Sequence, residues 1–224
     1  MIPIAATDGL LALFARYNPA IWPAQVVAYL LGLVAVALVF ARARWADRAI
    51  SAILAACWLW VGIVFLGIFG REIAPIVAAV EGALVAAQGL LFLVTGVARS
   101  GLTFRIGAAS YAAAGGLLIG YALVLYPILG AILGHGYPRA PLFGVAPCPT
   151  MIFTCGLLLW SGPRAPKYLL IVPLLWAALA TPAALGQGVI EDAMLPISAL
   201  FATALLLWRD RGTTASARPQ VHPA

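Results

Sequence analysis

Long apolar runs alternate with short polar segments along most of the 224 residues. Each run is close to the roughly 20 residues that a helix needs to cross a bilayer. None of them alternates polar with apolar residues, so the runs do not fit barrel strands, and helices are the structure that satisfies the backbone in lipid. The pattern predicts seven membrane spans, over residues 24–39, 50–70, 73–97, 106–126, 142–160, 168–185 and 189–208.

Composition places the chain in the membrane class. Hydrophobic residues make up 64% and charged residues 9%, whereas an ordinary soluble domain has about 25% charged residues. We therefore predict an all-α fold, a polytopic membrane helix bundle with seven transmembrane helices. Basic loops that face anionic lipid explain the net charge of +6, so the lipid bilayer is the expected partner and nucleic acid is not.

The basic residues orient this bundle, because Lys and Arg accumulate in cytoplasmic loops. Arg16, Arg71 and Arg139 lie on one side of the predicted membrane. The other ten basic residues lie on the opposite side: Arg42, Arg44, Arg48, Arg99, Arg105, Arg164, Lys167, Arg209, Arg211 and Arg218. The N-terminus is therefore predicted outside and the C-terminus in the cytoplasm. In the alternative topology, the fifth segment enters the membrane and returns to the same side. The difference in basic residues between the two sides of the membrane is then much smaller.

Three regions follow one another along the chain. Residues 1–20 are predicted as a short outer interfacial segment, either a frayed end or a helix over 9–17. In the helical alternative, apolar side chains lie on the membrane surface, namely Leu10, Leu11, Leu13 and Phe14. Residues 21–211 form the seven-helix transmembrane domain. Residues 212–224 are rich in Thr, Ser, Pro and Ala and are predicted to form a disordered cytoplasmic tail.

Missing residue types argue against several functions. The single lysine, Lys167, lies at the inner membrane edge, so it cannot form a retinal Schiff base deep in a helix. His135 lies in an outer loop and His222 in the tail, so neither can ligate haem at membrane depth. The sequence contains no glycine-rich phosphate loop, zinc-protease helix or strained nucleophile turn. No cofactor is therefore predicted, and a function other than catalysis is favoured.

Glu81 is the one carboxylate well inside a predicted span. Gln88 and Thr95 follow at intervals of seven residues, which keeps the three side chains on one helix face. A charged group near the bilayer centre costs about 2.5–3.5 kcal/mol on insertion scales, so this face is predicted to point into the bundle. It forms either a proton or cation site, or a neutral hydrogen bond to a neighbouring helix.

A proline break marks the fifth predicted span, at Pro147-Cys148-Pro149-Thr150. Because proline lacks a backbone donor, a helix should kink or begin here. Cys148, Met151 and Cys155 can share one helix face, and soft sulfur ligands would suit a monovalent copper-like ion. These three residues are the metal candidates. Ordinary packing of cysteine and methionine in an apolar core is the alternative.

Polar and aromatic residues gather at the predicted outer membrane level. Residues 134–138 are dense in Gly and Pro, which indicates a loop with a defined backbone. The candidates for an outward-facing pocket or ion site are Glu81, Gln88, His135, Tyr137, Cys148, Thr150, Trp22 and Gln25. Glu72, Glu191 and Asp192 are interpreted instead as charges at helix N-termini, where the helix dipole favours them.

Two blocks, Trp22-Pro23-Ala24-Gln25 and Pro147-Cys148-Pro149-Thr150, carry the most specific part of a resemblance. From about residue 17 to 192 the chain resembles an uncharacterised family of bacterial multi-pass membrane proteins, the domain of unknown function 6064. The resemblance implies a fold and a bacterial inner-membrane location, and it implies no activity. Members of that family carry a histidine and an Asn-Pro pair where this chain has Phe65-Leu66 and Ala74-Pro75.

Three functions compete on this evidence. The first is a small transporter or channel-like protein with an outward-facing polar pocket. The second is an accessory or structural membrane subunit, which predicts a membrane protein partner or a homo-oligomer and a harmless Glu81→Gln change. The third is a thiol- or metal-handling protein that works through Cys148. The transporter ranks first and the subunit second, because Glu81 lies on a polar face close to the proline break.

Overall fold

The computed structural model describes residues 7–41, 43–163 and 165–216, and these residues form helices and loops without an extended strand. The all-helical prediction is confirmed. The helices are α1 (Thr7–Ala20), α2 (Ala24–Ala41), α3 (Ala46–Glu72), α4 (Pro75–Ala98), α5 (Ala109–Ile132), α6 (Pro147–Leu159), α7 (Lys167–Gly186) and α8, which begins as a 3-10 turn over Ile190–Ala193 and continues over Met194–Ser216.

Six helices of the described chain are long and apolar enough to cross a membrane: α2, α3, α4, α5, α7 and α8. This is the pattern of a multi-pass membrane protein. The predicted span over 106–126 is displaced, because the helix begins at Ala109 and ends at Ile132. The residues before Ala109 belong to a loop that is tied down by a hydrogen bond of 2.5 Å from the Arg105 backbone N–H to the Trp160 carbonyl.

The predicted span over 142–160 is helical only in α6, which has 13 residues. At about 1.5 Å per residue it is roughly 20 Å long, short of the roughly 30 Å of a hydrocarbon core. All its residues except Cys148 are buried, and α3, α5 and α8 pack against it. The non-helical chain from Phe143 to Ala146 is buried as well. Irregular backbone is tolerated at membrane depth where protein covers it in this way.

Glycines let two helix pairs approach closely. A Cβ on Gly62 of α3 would lie 2.7 Å from the carbonyl oxygen of Gly82 in α4. A Cβ on Gly115 of α5 would lie 2.8 Å from the carbonyl oxygen of Gly156 in α6. Both contacts therefore exclude larger side chains, and they fix how α4 and α6 sit against their neighbours.

Helix α1 packs into the bundle at the end where α2 begins, which we call the α1 end. Leu13 and Phe14 are 2% and 3% exposed, and the Phe14 ring stacks on Phe65 with centroids 4.9 Å apart. The prediction that Leu13 and Phe14 lie on the membrane surface is therefore wrong. The reason is that α3 presents an aromatic surface to α1, on which Phe65 contacts Phe14 and Tyr17, and Phe69 contacts Tyr17.

The opposite end of the bundle, which we call the Trp160 end, consists of residues 43–45, 99–108, 160–163 and 165–166 and the end of α8. An isolated bridge joins Phe104 to Ser161 there. Arg42 and Arg164, which entered the orientation argument, lie outside the described residues. The backbone of α8 is helical to Ser216. Residues 217–224 of the predicted tail also lie outside the described residues, so the prediction of a disordered tail stays a prediction.

Candidate functional site: a carboxylate-lined cavity

A cavity of about 170 Å³ lies at the α1 end of the bundle. Helices α1, α3, α4 and α7 wall it, together with the first residues of α6 and α8, the chain before α6 and the turn between α7 and α8. Most of the wall is apolar and includes Phe14 and Phe65. The polar groups that line it are Glu81, Cys148, Trp176, Gln187 and Asp192.

Asp192 reaches the cavity from the start of α8. The chain leaves α7 and reverses at Gly188, whose φ of +76° is unstrained for a residue without a Cβ. It then enters the 3-10 turn that carries Asp192, which is 2% exposed. The Tyr126 hydroxyl donates a hydrogen bond to Oδ1 of Asp192, and the Cys148 thiol lies against the same carboxylate. Three separate segments therefore converge on this one buried carboxyl group.

Glu191, next to Asp192, is buried behind the cavity wall. Gly130 of α5 makes room for it, because a Cβ there would lie 3.1 Å from Oε1 of Glu191. The same Oε1 is 3.4 Å from Nδ1 of His135, while Oε2 has no hydrogen-bond partner in the described structure. The Tyr121 hydroxyl donates to the Glu191 carbonyl at 2.9 Å. Glu191 thus contacts the loop between α5 and α6 through His135, whose side chain is only 13% exposed.

The predicted polar face of α4 divides into two parts. Glu81 lines the cavity and has no hydrogen-bond or ion-pair partner among the described residues. Gln88 is fully buried and donates from Nε2 to the Leu169 carbonyl at 2.9 Å. Thr95 and the Tyr168 hydroxyl share a hydrogen bond of 2.7 Å. Gln88 and Thr95 therefore join α4 to the start of α7, whereas Glu81 is free to meet a ligand.

One further cavity residue has unused hydrogen-bonding capacity. The Oε1 atom of Gln187 is buried without a hydrogen-bond partner in the described structure. The Trp176 indole lies against the Cys148 thiol. Because a buried polar atom without a partner is costly, a polar ligand or water that bonds Gln187 lowers this cost.

The predicted sulfur face does not converge on one point. Cys148 lines the cavity beside Asp192, while Met151 is completely buried in the core. Cys155, also completely buried, has Ser198 of α8 as its neighbour. Within the described chain no group of three or more His, Cys, Asp or Glu side chains is placed to hold a metal ion. The metal assignment stays a prediction.

Thr150 explains how the proline break is built. Its hydroxyl accepts from the Gly144 N–H at 2.8 Å and donates to the Ala146 carbonyl at 2.6 Å. Helix α6 begins at Pro147, in agreement with the predicted break. The Tyr17 hydroxyl donates to the Val145 carbonyl at 2.8 Å. These bonds satisfy the non-helical backbone that forms the cavity wall before α6, so Thr150 has a structural role here.

Tyr17 of α1 holds this wall as a neutral phenol. Burial raises the pKa of its hydroxyl above the usual value, although a hydrogen bond from the Trp60 indole N–H at 2.9 Å opposes the shift. The phenol therefore stays protonated and keeps donating to the Val145 carbonyl.

Asn18 and Gln25 fasten the loop between α5 and α6 to α1 and α2. The Asn18 amide is completely buried and donates to the carbonyls of Pro138 and Ala140, at 2.6 and 2.8 Å. The Gln25 amide donates to the Asn18 carbonyl at 2.6 Å. Gln25 is therefore an anchor of the loop and does not line the cavity.

Of the eight predicted pocket residues, the structure brings Glu81 and Cys148 to the cavity. His135 contacts Glu191 behind it. Trp22 and Tyr137 are 62% and 58% exposed and lie apart from the cavity lining. Gln25, Gln88 and Thr150 make the structural hydrogen bonds described above.

The sequence argument missed the buried acids. Glu191 and Asp192 do lie at the start of a helix, as their interpretation required, but both are buried and bonded to distant side chains. The available signal was two adjacent carboxylates beside an apolar segment, in a chain with seven acidic residues. Nothing in the sequence around Tyr126 indicated that it contacts a buried acid.

One comparison identifies relatives of the chain. The profile of a family described as a family of unknown function (DUF6064) matches residues 7–217. No curated protein and no solved structure matches the chain.

Proposed function

This chain belongs to the family of unknown function DUF6064, and we propose that it is a small transporter of the bacterial inner membrane. In this proposal, the cavity at the α1 end is an outward-facing pocket for a small cation. The observation that carries the proposal is that two carboxyl groups from distant segments, Glu81 and Asp192, line one cavity whose described lining has no Lys, Arg or His.

The proposed orientation places the N-terminus outside and the C-terminus in the cytoplasm, with α6 as a seventh crossing segment. It is supported by the concentration of basic residues at the Trp160 end. The contacts of α6 support it too, because the chain before α6 touches Tyr17, and the Trp160 carbonyl just after α6 accepts from Arg105. These contacts lie at opposite ends of the bundle.

The chemistry of the cavity favours a cation as ligand. An ionised carboxylate in an apolar wall is stabilised by a positive charge that enters the cavity. Phe14, Phe65 and Trp176 add aromatic faces, which attract organic cations. A volume of about 170 Å³ suits a small amine or quaternary ammonium ion.

The test is to reconstitute the full chain in proteoliposomes and to record the charge displaced when tetraethylammonium or methylammonium is added. The wild type is expected to give a saturable current. Glu81→Gln is expected to reduce it at least tenfold, since the variant keeps the size of the side chain and removes its charge. The matched control is Asp210→Asn, a carboxylate at the Trp160 end, which should leave the current unchanged.

Two results would overturn the proposal. One is an identical current in wild type and Glu81→Gln, with both proteins monodisperse by size exclusion. The other is the absence of any current together with a stoichiometric membrane partner in the purified sample, which would favour the accessory subunit.

A further inference from the structure

A second and larger cavity, of about 730 Å³, lies at the Trp160 end. It is formed by the end of α2, residues 43–44 of the following loop, the start of α3 and residues 104–106. Arg44, Asp47 and Arg105 are its charged lining groups, and Phe40 and Ile106 are among its apolar ones. We propose that this cavity binds the phosphate headgroup of an anionic glycerophospholipid.

The wall of this cavity has a defined structure. The Phe104 N–H donates to Oδ1 of Asp47 at 2.8 Å, and the Arg105 N–H donates to the Trp160 carbonyl at 2.5 Å. A third hydrogen bond, from the Gly162 N–H to the Thr103 carbonyl at 2.8 Å, completes the bridge between Phe104 and Ser161. The segment that carries Arg105 is therefore held against the start of α3 before any ligand arrives, which lowers the entropy that binding would cost.

The charges fit one phosphodiester. Neither the Arg44 nor the Arg105 guanidinium has an ion-pair or hydrogen-bond partner among the described residues. Guanidinium groups bind phosphate through paired N–H donors. Two arginines and Asp47 leave one net positive charge, which balances the single negative charge of a phosphodiester.

The apolar rim distinguishes a lipid from free phosphate. Phe40 and Ile106 are 61% and 40% exposed although they line the cavity, so the cavity opens at the surface of the bundle beside apolar side chains. Trp45, 61% exposed beside Arg44, suits the headgroup level of a bilayer. Acyl chains can lie on these side chains while the headgroup reaches the arginines. Basic cavities between membrane helices are suited to anionic headgroups.

The experiment is native mass spectrometry of the full chain in detergent, titrated with phosphatidylglycerol, phosphatidylcholine or inorganic phosphate. Phosphatidylglycerol is expected to bind with the highest affinity. The double variant Arg44→Gln and Arg105→Gln should weaken this binding by roughly tenfold. The matched control is Arg99→Gln, an exposed arginine at the same end that is not in this cavity, and it should change the affinity less than twofold.

A second variant separates the headgroup from the tails. Phe40→Ser removes an apolar contact and no charge, so it should weaken phosphatidylglycerol binding and leave phosphate binding unchanged. If the double variant does not fold, the single Arg105→Gln change is used, with an expected loss of about threefold.

Three results would overturn the proposal. The first is equal affinity for phosphatidylglycerol in wild type and the double variant. The second is a loss in Arg99→Gln as large as in the double variant, which would indicate diffuse attraction to the basic surface. The third is inorganic phosphate that binds as tightly as phosphatidylglycerol, which would make this a site for the free ion.

Discussion

The two buried acids at the α1 end and an exposed ion pair at the Trp160 end hold their charges in different ways. At the α1 end, Glu191 and Asp192 are 2% exposed and contact Tyr126 and His135. At the Trp160 end, the side chains of Lys167 and Asp210 pair while they remain about 30% exposed. Loss of a contact of the buried acids should therefore lower the free energy of unfolding strongly, whereas water can replace the contacts of the exposed pair.

The difference separates polar groups left unpaired in a pocket from a paired, anchoring contact. At the Trp160 end, the Arg209 guanidinium donates to the carbonyls of Ser161 and Gly162, at 2.5 and 3.0 Å. These bonds close a loop and occupy the guanidinium, and Arg209 does not line the cavity that Arg44 and Arg105 share at this end. At the α1 end, Glu81 and the Gln187 Oε1 atom have no hydrogen-bond partner among the described residues, and both residues line a cavity. Unused polar capacity beside a cavity is what a binding pocket requires.

The largest expected effect concerns Asp192. Asp192→Ala should lower the free energy of unfolding by about 2 kcal/mol, because the buried Tyr126 hydroxyl loses its acceptor. Chemical unfolding in detergent measures this loss. Adding Tyr126→Phe to Asp192→Ala should recover part of the stability, since neither polar partner then remains. A variant Asp192→Ala as stable as wild type would mean that the buried carboxyl group carries no stabilising contact.

An intermediate effect is expected for Tyr17. Tyr17→Phe should lower the free energy of unfolding by about 1 kcal/mol, because the buried Val145 carbonyl and the Trp60 indole lose their hydrogen-bond partner. The control is Tyr168→Phe, whose hydroxyl bonds Thr95 from a residue that is 40% exposed. Thermal unfolding of the two variants compares the loss of stability at the α1 end with that at the Trp160 end. Equal losses would contradict a difference in burial as the cause.

The smallest effect is expected for the exposed ion pair. Lys167→Ala should change the free energy of unfolding by less than about 1 kcal/mol, because water screens the pair with Asp210. Added salt should reduce the difference between variant and wild type further. A loss of about 2 kcal/mol or more, measured by the same unfolding experiment, would show that the two ends hold their charges with similar strength.

Much of the fold could be predicted from the sequence, because hydropathy is a local property. Apolar runs mark α2, α3, α4 and α7 within about four residues of their observed ends, whereas α5 and α8 extend farther toward the C-terminus than their apolar runs predicted. The start of α6 at Pro147 also follows from local chemistry, since proline suits the first turn of a helix and interrupts its interior. Even the inward direction of Gln88 and Thr95 was predictable, because a buried polar face must avoid lipid.

The candidate site was predictable only in part. Glu81 and Cys148 drew attention as a lone carboxylate and a cysteine at a proline break, and both line the cavity. The burial of Leu13 and Phe14 could not be read from the run that contains them. Their burial depends on Phe65, more than 50 residues away, and on where α1 settles against it.

The sequence by itself determined that this chain is helical, that it is apolar enough to cross a membrane several times, and where its basic residues gather. Only the tertiary structure decided which polar groups meet. Tyr126 and Asp192 are 66 residues apart in the chain and share a hydrogen bond. The physical reason is that hydropathy sets which segments enter an apolar medium, whereas close helix packing sets the rotation that brings each side chain to a cavity, the core or the lipid.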